Sequence, residues 1–131
     1  FPGKTSCAVE SPEDILPMLR ALCMARNERF WVVALDSGAC CLGIKEVAQG
    51  SPSSCSVPVR EVFSFLLDMD AHRGIVAHNH PHGSPEPSAE DLWLTRKLVS
   101  LGTELGVPIV DHIIVTRSDY LSLNACEVLG T

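Results

Sequence analysis

Two histidines and an aspartate occur at a spacing that suits a bound metal ion. His78 and His80 stand two residues apart at the end of the apolar run 74–77, and alternate residues of an extended chain face the same side. Ser88 predicts a helix N-cap, which places Asp91 in the first turn of that helix, where a loop can return it to the end of the strand. Two imidazoles and one carboxylate with an open fourth position are typical of catalytic zinc sites, whereas structural zinc sites are closed.

The same residues also have interpretations that need no metal. A pair of histidines on a strand can simply be hydrogen-bonded, and Ser88 with Asp91 is similar to a capping box. Catalysis by a metal-activated water also needs a carboxylate that acts as general base. Glu28, which precedes an apolar run, and Glu46, on the following run, are the candidates, and spacing alone does not choose between them.

The elements that must position these residues alternate between helices and strands. Ser11 and Pro12 are typical of a helix start, and Gly106 is typical of a helix end. Apolar residues with helical periodicity predict helices over residues 11–26, 58–70 and 89–105. Runs of β-branched and aromatic residues predict strands over residues 30–35, 40–47, 74–78, 108–116 and 120–123. The order α, β, β, α, β, α, β, β predicts one α/β domain over residues 1–131 with a mixed or antiparallel sheet.

Length and composition are those of one ordinary domain. The chain has 131 residues, of which 46% are apolar and 20% are charged, which excludes a disordered or fibrous protein. The longest apolar run, 30–35, has six residues and is too short to cross a bilayer. The net charge of −6 disfavours direct binding of this chain to nucleic acid or to an anionic membrane surface.

Six cysteines are spread along the chain: Cys7, Cys23, Cys40, Cys41, Cys55 and Cys126. Their spacing is irregular, and the adjacent Cys40 and Cys41 are poorly placed to bond to each other. No secretory signal opens the sequence, and several cysteines lie among apolar residues, where a thiol behaves as a small hydrophobe. We therefore expect reduced cysteines and a cytoplasmic protein. The chain begins at Phe1 rather than Met, which we interpret as a piece of a longer protein.

The stretch from His78 to Asp91 resembles the JAMM motif of MPN-type metalloproteases, which is His-x-His, seven residues, Ser, two residues and Asp. Further blocks are similar to the RadC-like family of bacteria, which carries a DNA-repair label. These blocks lie at 35–36, 60–63, 77–81, 87–91, 94–96, 105–108 and 111–115, and together they cover the chain from about residue 28 to residue 123. The resemblance implies a three-layer, cytidine-deaminase-like MPN/JAMM domain, in which helices flank a mixed β-sheet.

The resemblance also implies a role for each site residue. His78, His80 and Asp91 would ligate zinc. Glu28 would be the general base, and Ser88 would help to stabilise the oxyanion of a tetrahedral intermediate. The implied reaction is hydrolysis of a peptide or isopeptide bond in an unidentified protein or peptide substrate. Longer members of the family carry an N-terminal helix-hairpin-helix domain, which we expect to be absent here.

Other polar residues near the motif are expected to play structural parts. RadC-like chains usually carry a small residue where His82 stands, and we expect His82 at the rim of the cleft. Asn79 is typical of RadC-like chains, and its side chain should face away from the metal. Asp111 and His112 are adjacent on a predicted strand, so at most one of them faces the cleft, and we favour a structural role.

Two other functions stand as alternatives. The family label suggests a non-catalytic binding module of DNA metabolism, and the letters His-Asn-His at 78–80 suggest a metal-dependent nuclease. The net charge of −6 argues against DNA binding by this chain alone. A nuclease also needs cations or a second metal to hold phosphate, and the sequence shows neither near the motif.

Overall fold

A computed structural model describes residues 7–22, 26–50, 57–81 and 83–124. Within these ranges the helices are α1 (Pro12–Leu22), α2 (Val59–Asp68) and α3 (Ala89–Leu105). The strands are β1 (Arg29–Leu35), β2 (Cys41–Gln49), β3 (Arg73–Asn79), β4 (Ile109–Val115) and β5 (Tyr120–Ser122). The predicted order of helices and strands is confirmed. None of these helices is both long enough and apolar enough to cross a membrane.

The first helix ends earlier than predicted. In the described residues α1 ends at Leu22, and Arg26 lies in a bend. Beyond this bend the side chain of Asn79 binds the carbonyl oxygen of Asn27 and the amide of Arg29. Backbone groups that are bound to another element are not available to a helical ladder, so residues 27 to 29 lie outside the helix.

The strands form one mixed sheet in the order β2-β1-β3-β4-β5. The pairs β2–β1, β1–β3 and β4–β5 are antiparallel, whereas β3 and β4 are parallel. A parallel pair needs a crossover connection, and α3 supplies it. The start of α3 is therefore brought to the end of the sheet at which β3 ends.

The sheet separates two apolar cores. On one face, Phe30 and Val32 pack with apolar residues of α2 and α3. On the other face, Val33 and Leu35 pack with apolar residues of α1. Alternate residues of β1 thus belong to different cores, as an extended chain requires. The expected α/β domain, with a mixed sheet between layers of helix, is confirmed.

The strand register brings the start of β1 to the end of β3. Phe30 is paired with His78 in the antiparallel ladder, so residue 28 lies opposite residue 80. On the other side of β1, the amide of Gly50 donates to the carbonyl oxygen of Glu28 at 2.8 Å. The start of β1, the end of β3 and the start of α3 therefore meet in one place.

The expectation that all cysteines are reduced is wrong for one pair. Cys7 and Cys40 form a disulfide, with their Cα atoms 5.1 Å apart. A β-bridge between Ala8 and Cys40 brings these two cysteines together across 33 residues of sequence, and cysteine spacing carries no sign of that contact. Among the described residues Cys41 is free and exposed, whereas Cys23, Cys55 and Cys126 lie outside them. The disulfide removes the argument from reduced thiols, so the cytoplasmic location stays a prediction.

Candidate metal centre

Two imidazoles face one another at the end of β3. His78 is wholly buried, and the side chain of His80, just after the strand, is 18% exposed. Their Nε2 atoms lie 2.9 Å apart. The ring of Phe30 stacks on His78, with 5.8 Å between ring centroids and 14° between ring planes, so packing holds the orientation of His78. The strand therefore turns both Nε2 atoms towards one point.

Asp91 reaches the two histidines from the start of α3. Its amide donates to Ser88 Oγ at 3.0 Å, and its Oδ2 accepts from the Ser88 amide at 2.9 Å, so the N-cap is a complete capping box. The same carboxylate places Oδ1 at 3.5 Å from His78 Nε2 and Oδ2 at 3.6 Å from His80 Nε2. Asp91 therefore caps the helix and faces the two histidines at the same time.

The other ring nitrogen of each histidine is also engaged. His80 Nδ1 lies 3.0 Å from the carbonyl oxygen of Ser84, which can only accept, so Nδ1 is the donor. His78 Nδ1 lies 2.8 Å from Nε2 of His112. Both rings are thus held from behind while Nε2 faces Asp91, as is usual for histidines that bind metals.

His112, for which the sequence predicted a structural role, lies directly behind His78. It is wholly buried on β4, and burial lowers its pKa well below the ordinary value for histidine. Its neighbour Asp111 points to the other face of the sheet, where the carboxylate accepts from Ser122 Oγ at 2.6 Å and from the Asn124 amide at 3.0 Å. The two side chains lie on opposite faces, as predicted, but nothing in the sequence signals the contact of His112 with the strand beside it.

The electrostatics of the site centre on Asp91. Burial raises the pKa of this carboxyl, but the adjacent imidazoles of His78 and His80 outweigh burial and hold the pKa well below its usual value. The carboxylate of Asp91 in turn raises the pKa of His80, and partial burial of that ring offsets the effect only in part. Asp91 is therefore an anion that attracts a proton or a cation to the two Nε2 atoms.

Glu28 approaches the histidines from the start of β1. One of its carboxylate oxygens and a ring nitrogen of each histidine lie within 4.8 Å of one another. The rival candidate Glu46 lies on β2, where its carboxylate contacts the Arg29 guanidinium at 3.0 Å and Gln49 Nε2 at 2.9 Å. Of these two glutamates, Glu28 is the one that the fold brings to the histidines.

Asn79 holds the backbone on both sides of Glu28. Its side chain is buried, and Oδ1 accepts from the Arg29 amide at 2.6 Å while Nδ2 donates to the carbonyl oxygen of Asn27 at 3.1 Å. A primary amide makes both bonds at once because it carries an acceptor and a donor side by side. The asparagine between the two histidines thus positions the segment that carries Glu28.

A surface cleft of about 550 Å³ opens beside these groups. Its wall includes Glu28, His80, Ser88 and Asp91. His82, which was predicted at the rim, lies outside the described residues. A ligand in the cleft would meet carboxylate, hydroxyl and imidazole groups together, which is typical of a binding site.

Replacing Asn79 with alanine should release the backbone around Glu28. The Arg29 amide loses its acceptor, so its hydrogen exchange should become roughly tenfold faster or more. The amide of Val33, in the middle of β1, should keep its wild-type rate and serves as the internal control. Amide exchange followed by NMR makes the comparison, and unchanged protection of Arg29 would show that another group holds this segment.

The chain is similar over most of its length to curated proteins from several organisms. It is 36% identical over 122 residues to a UPF0758 protein of Syntrophomonas wolfei, an alignment that covers 89% of this chain and 52% of that protein. It is 37% identical over 130 residues to a UPF0758 protein of Acaryochloris marina, with 92% and 54% covered. A UPF0758 protein of Clostridium novyi is 33% identical over 122 residues, also with 92% and 54% covered. The chain thus spans about half the length of these relatives.

A family model described as the RadC-like JAB domain matches residues 9–128. The match includes the whole sheet, both histidines, Asp91 and Glu28. It confirms the resemblance that the motif and its flanking blocks indicated. The chain belongs to the RadC-like JAB domain family.

Proposed function

We propose that this domain is a zinc-dependent hydrolase that cleaves a peptide or isopeptide bond. The observation that carries the proposal is the convergence of His78 Nε2, His80 Nε2 and the Asp91 carboxylate, which lie 2.9 to 3.6 Å from one another. A carboxylate suited to act as general base, that of Glu28, lies close to the same point. Membership of the family supports the type of domain, and the geometry of the site supports the chemistry.

The separations of these atoms fit a tetrahedral ion. Zinc is bound by imidazole nitrogen and carboxylate oxygen at about 2.0–2.2 Å, so two ligand atoms of a tetrahedral site lie roughly 3.3 Å apart. The two Nε2 atoms lie 2.9 Å apart, and each lies 3.5 to 3.6 Å from a different oxygen of Asp91, so these distances lie on both sides of that value. Two imidazoles and one carboxylate leave a fourth position for water, and this donor set suits zinc.

Glu28 and Ser88, which lie near that position, have different roles in hydrolysis. When zinc is bound, it lowers the pKa of a coordinated water and polarises the carbonyl of the scissile bond. Glu28 accepts a proton from the attacking water and passes it to the leaving amine. Ser88 Oγ accepts from the Asp91 amide, and its own hydrogen can be donated to the oxyanion of the tetrahedral intermediate.

The cleft supports a protein or peptide substrate. Its volume of about 550 Å³ is in the range that admits a short segment of chain. Its wall carries Glu28, Glu90 and Asp91 together with the cation Arg26, and the whole chain has a net charge of −6. A phosphate backbone would meet net repulsion there, so we propose a polypeptide rather than a nucleic acid.

The purified chain should hold about one zinc ion per molecule, and His80→Ala should lose most of it because one of the proposed ligands is gone. His72→Ala is the matched control, since His72 is an exposed histidine outside the cleft, and it should keep the wild-type zinc content. Elemental analysis after reconstitution and gel filtration measures the stoichiometry. A wild-type chain that takes up no zinc when zinc is supplied would show the proposed function to be wrong.

Zinc affinity should fall as the pH is lowered. Asp91 raises the pKa of His80 in the metal-free protein, and zinc binds only the unprotonated imidazole. Below that raised pKa each binding event must displace a proton, so the dissociation constant should increase up to about tenfold per pH unit. Competition with a chelator of known pH dependence measures the slope, and an affinity that does not change with pH would contradict this account of His80.

Glu28→Gln should keep zinc but lose most of the hydrolytic activity. Loss of a general base costs about 10²- to 10⁴-fold in rate. Glu46→Gln makes the same chemical change at the rival position on β2 and should cleave like the wild type. The zinc-loaded chains are incubated with a peptide library, and new amino termini are counted by mass spectrometry. Equal cleavage by Glu28→Gln and the wild type would place the base elsewhere.

A further inference from the structure

A buried chain of hydrogen bonds runs from His78 away from the cleft. His78 Nδ1 lies 2.8 Å from His112 Nε2, His112 Nδ1 contacts Thr95 Oγ1, and Thr95 Oγ1 donates to the backbone oxygen of Asp91 at 2.7 Å. The side chains of His78, His112 and Thr95 are wholly buried. These hydrogen bonds therefore connect one proposed ligand, His78, to the helical turn that carries another, Asp91.

The hydrogen positions in this series of hydrogen bonds can be assigned because its last member, the backbone oxygen of Asp91, has no hydrogen to donate. A backbone oxygen only accepts, so the single hydroxyl hydrogen of Thr95 points to Asp91. Thr95 Oγ1 must then accept from His112, which puts a hydrogen on His112 Nδ1. Within the described residues the His112 ring bonds to His78 and Thr95 and to no carboxylate, and a buried imidazole without a counter-charge is neutral.

A neutral His112 with its hydrogen on Nδ1 has its lone pair on Nε2. That lone pair accepts from His78 Nδ1, so His78 carries its own lone pair on Nε2, the atom that faces Asp91. The opposite assignment would turn the Thr95 hydrogen towards His112 and leave two acceptors, Thr95 Oγ1 and the Asp91 backbone oxygen, 2.7 Å apart. It would also put a hydrogen on His78 Nε2, which lies 2.9 Å from His80 Nε2 and 3.5 Å from Asp91 Oδ1, at the point where a metal would bind.

We propose that Thr95 and His112 are positioning residues that hold His78 with a free lone pair at Nε2. The proposal rests on the proposed function for the metal that this lone pair binds, whereas the tautomers are inferred from the hydrogen bonds behind the ring. The ring of Phe30 stacks on His78 and contacts His112 edge-on, with 5.6 Å between the centroids of Phe30 and His112. These contacts keep both imidazole rings from rotating by 180°. Because Thr95 also binds Asp91, one hydroxyl supports two ligands.

The tautomers can be read directly from metal-free protein. In protein with isotope-labelled histidine, long-range proton–nitrogen correlation spectra distinguish a hydrogen on Nδ1 from one on Nε2. At a pH where both rings are neutral, we expect Nδ1–H for His78 and for His112, which is the opposite of the tautomer that free imidazole side chains prefer in water. A hydrogen on Nε2 of either ring would overturn the proposal.

Zinc affinity tests the same proposal through variants. Thr95→Val keeps the shape of the side chain without the hydroxyl and should weaken zinc binding about 10- to 100-fold. Thr95→Ser keeps the hydroxyl and should bind zinc nearly as tightly as the wild type. Thr103→Val is the matched control, because Thr103 Oγ1 makes the same type of bond, to the Val99 backbone oxygen at 3.0 Å, at an exposed position of α3. Its zinc affinity should be that of the wild type.

The outcomes separate this proposal from the proposed function. Thermal unfolding of each metal-free variant shows whether it is folded, and a folded Thr95→Val chain with wild-type zinc affinity would overturn the positioning role. If Thr95→Val does not fold, the tautomers of the wild type decide the question. If the wild type binds no zinc, the proposed function fails, and the tautomers of the metal-free chain still show whether Thr95 and His112 hold His78 as inferred.

Discussion

Two imidazole nitrogens and a carboxylate lie within 3.6 Å of one another at the end of β3. Their lone pairs repel unless a proton or a cation lies between them, so the surrounding structure has to hold each group in place. Each one has such a contact on its far side. His112 holds the ring of His78, the carbonyl oxygen of Ser84 holds the ring of His80, and the Ser88 amide holds Asp91. The convergence therefore depends on β3, α3 and β4 as one unit.

The first turn of α3 supplies part of this support. The unpaired amides at a helix N-terminus favour a nearby anion, which is where Asp91 lies, and the capping box fixes the carboxylate in that position. One turn further along, Thr95 binds the backbone of Asp91 and the ring of His112. The helix that makes the parallel crossover thus also carries a carboxylate and the end of the hydrogen-bond chain behind His78.

Much of the fold could be predicted because its signals are local. The helix predicted over residues 89–105 has those bounds in the structure, with Ser88 as its N-cap and Gly106 in the left-handed conformation at φ 78° after its last turn. The predicted end of α1 at residue 26 was wrong, since α1 ends at Leu22 and Arg26 lies in a bend. The disulfide was missed because the bridge beside Cys40 involves a segment far from it in the chain.

The amino-acid sequence by itself determined which groups the site contains and how they are arranged within each element. His78 and His80 share a side, and Ser88 and Asp91 share a turn, because the periods of strand and helix require it. Only the tertiary structure decided that Glu28 lies beside the histidines and that His112 lies behind one of them. Both contacts depend on the register between strands, and a shift of one residue would leave every local signal unchanged while turning the side chains of the shifted strand to the other face.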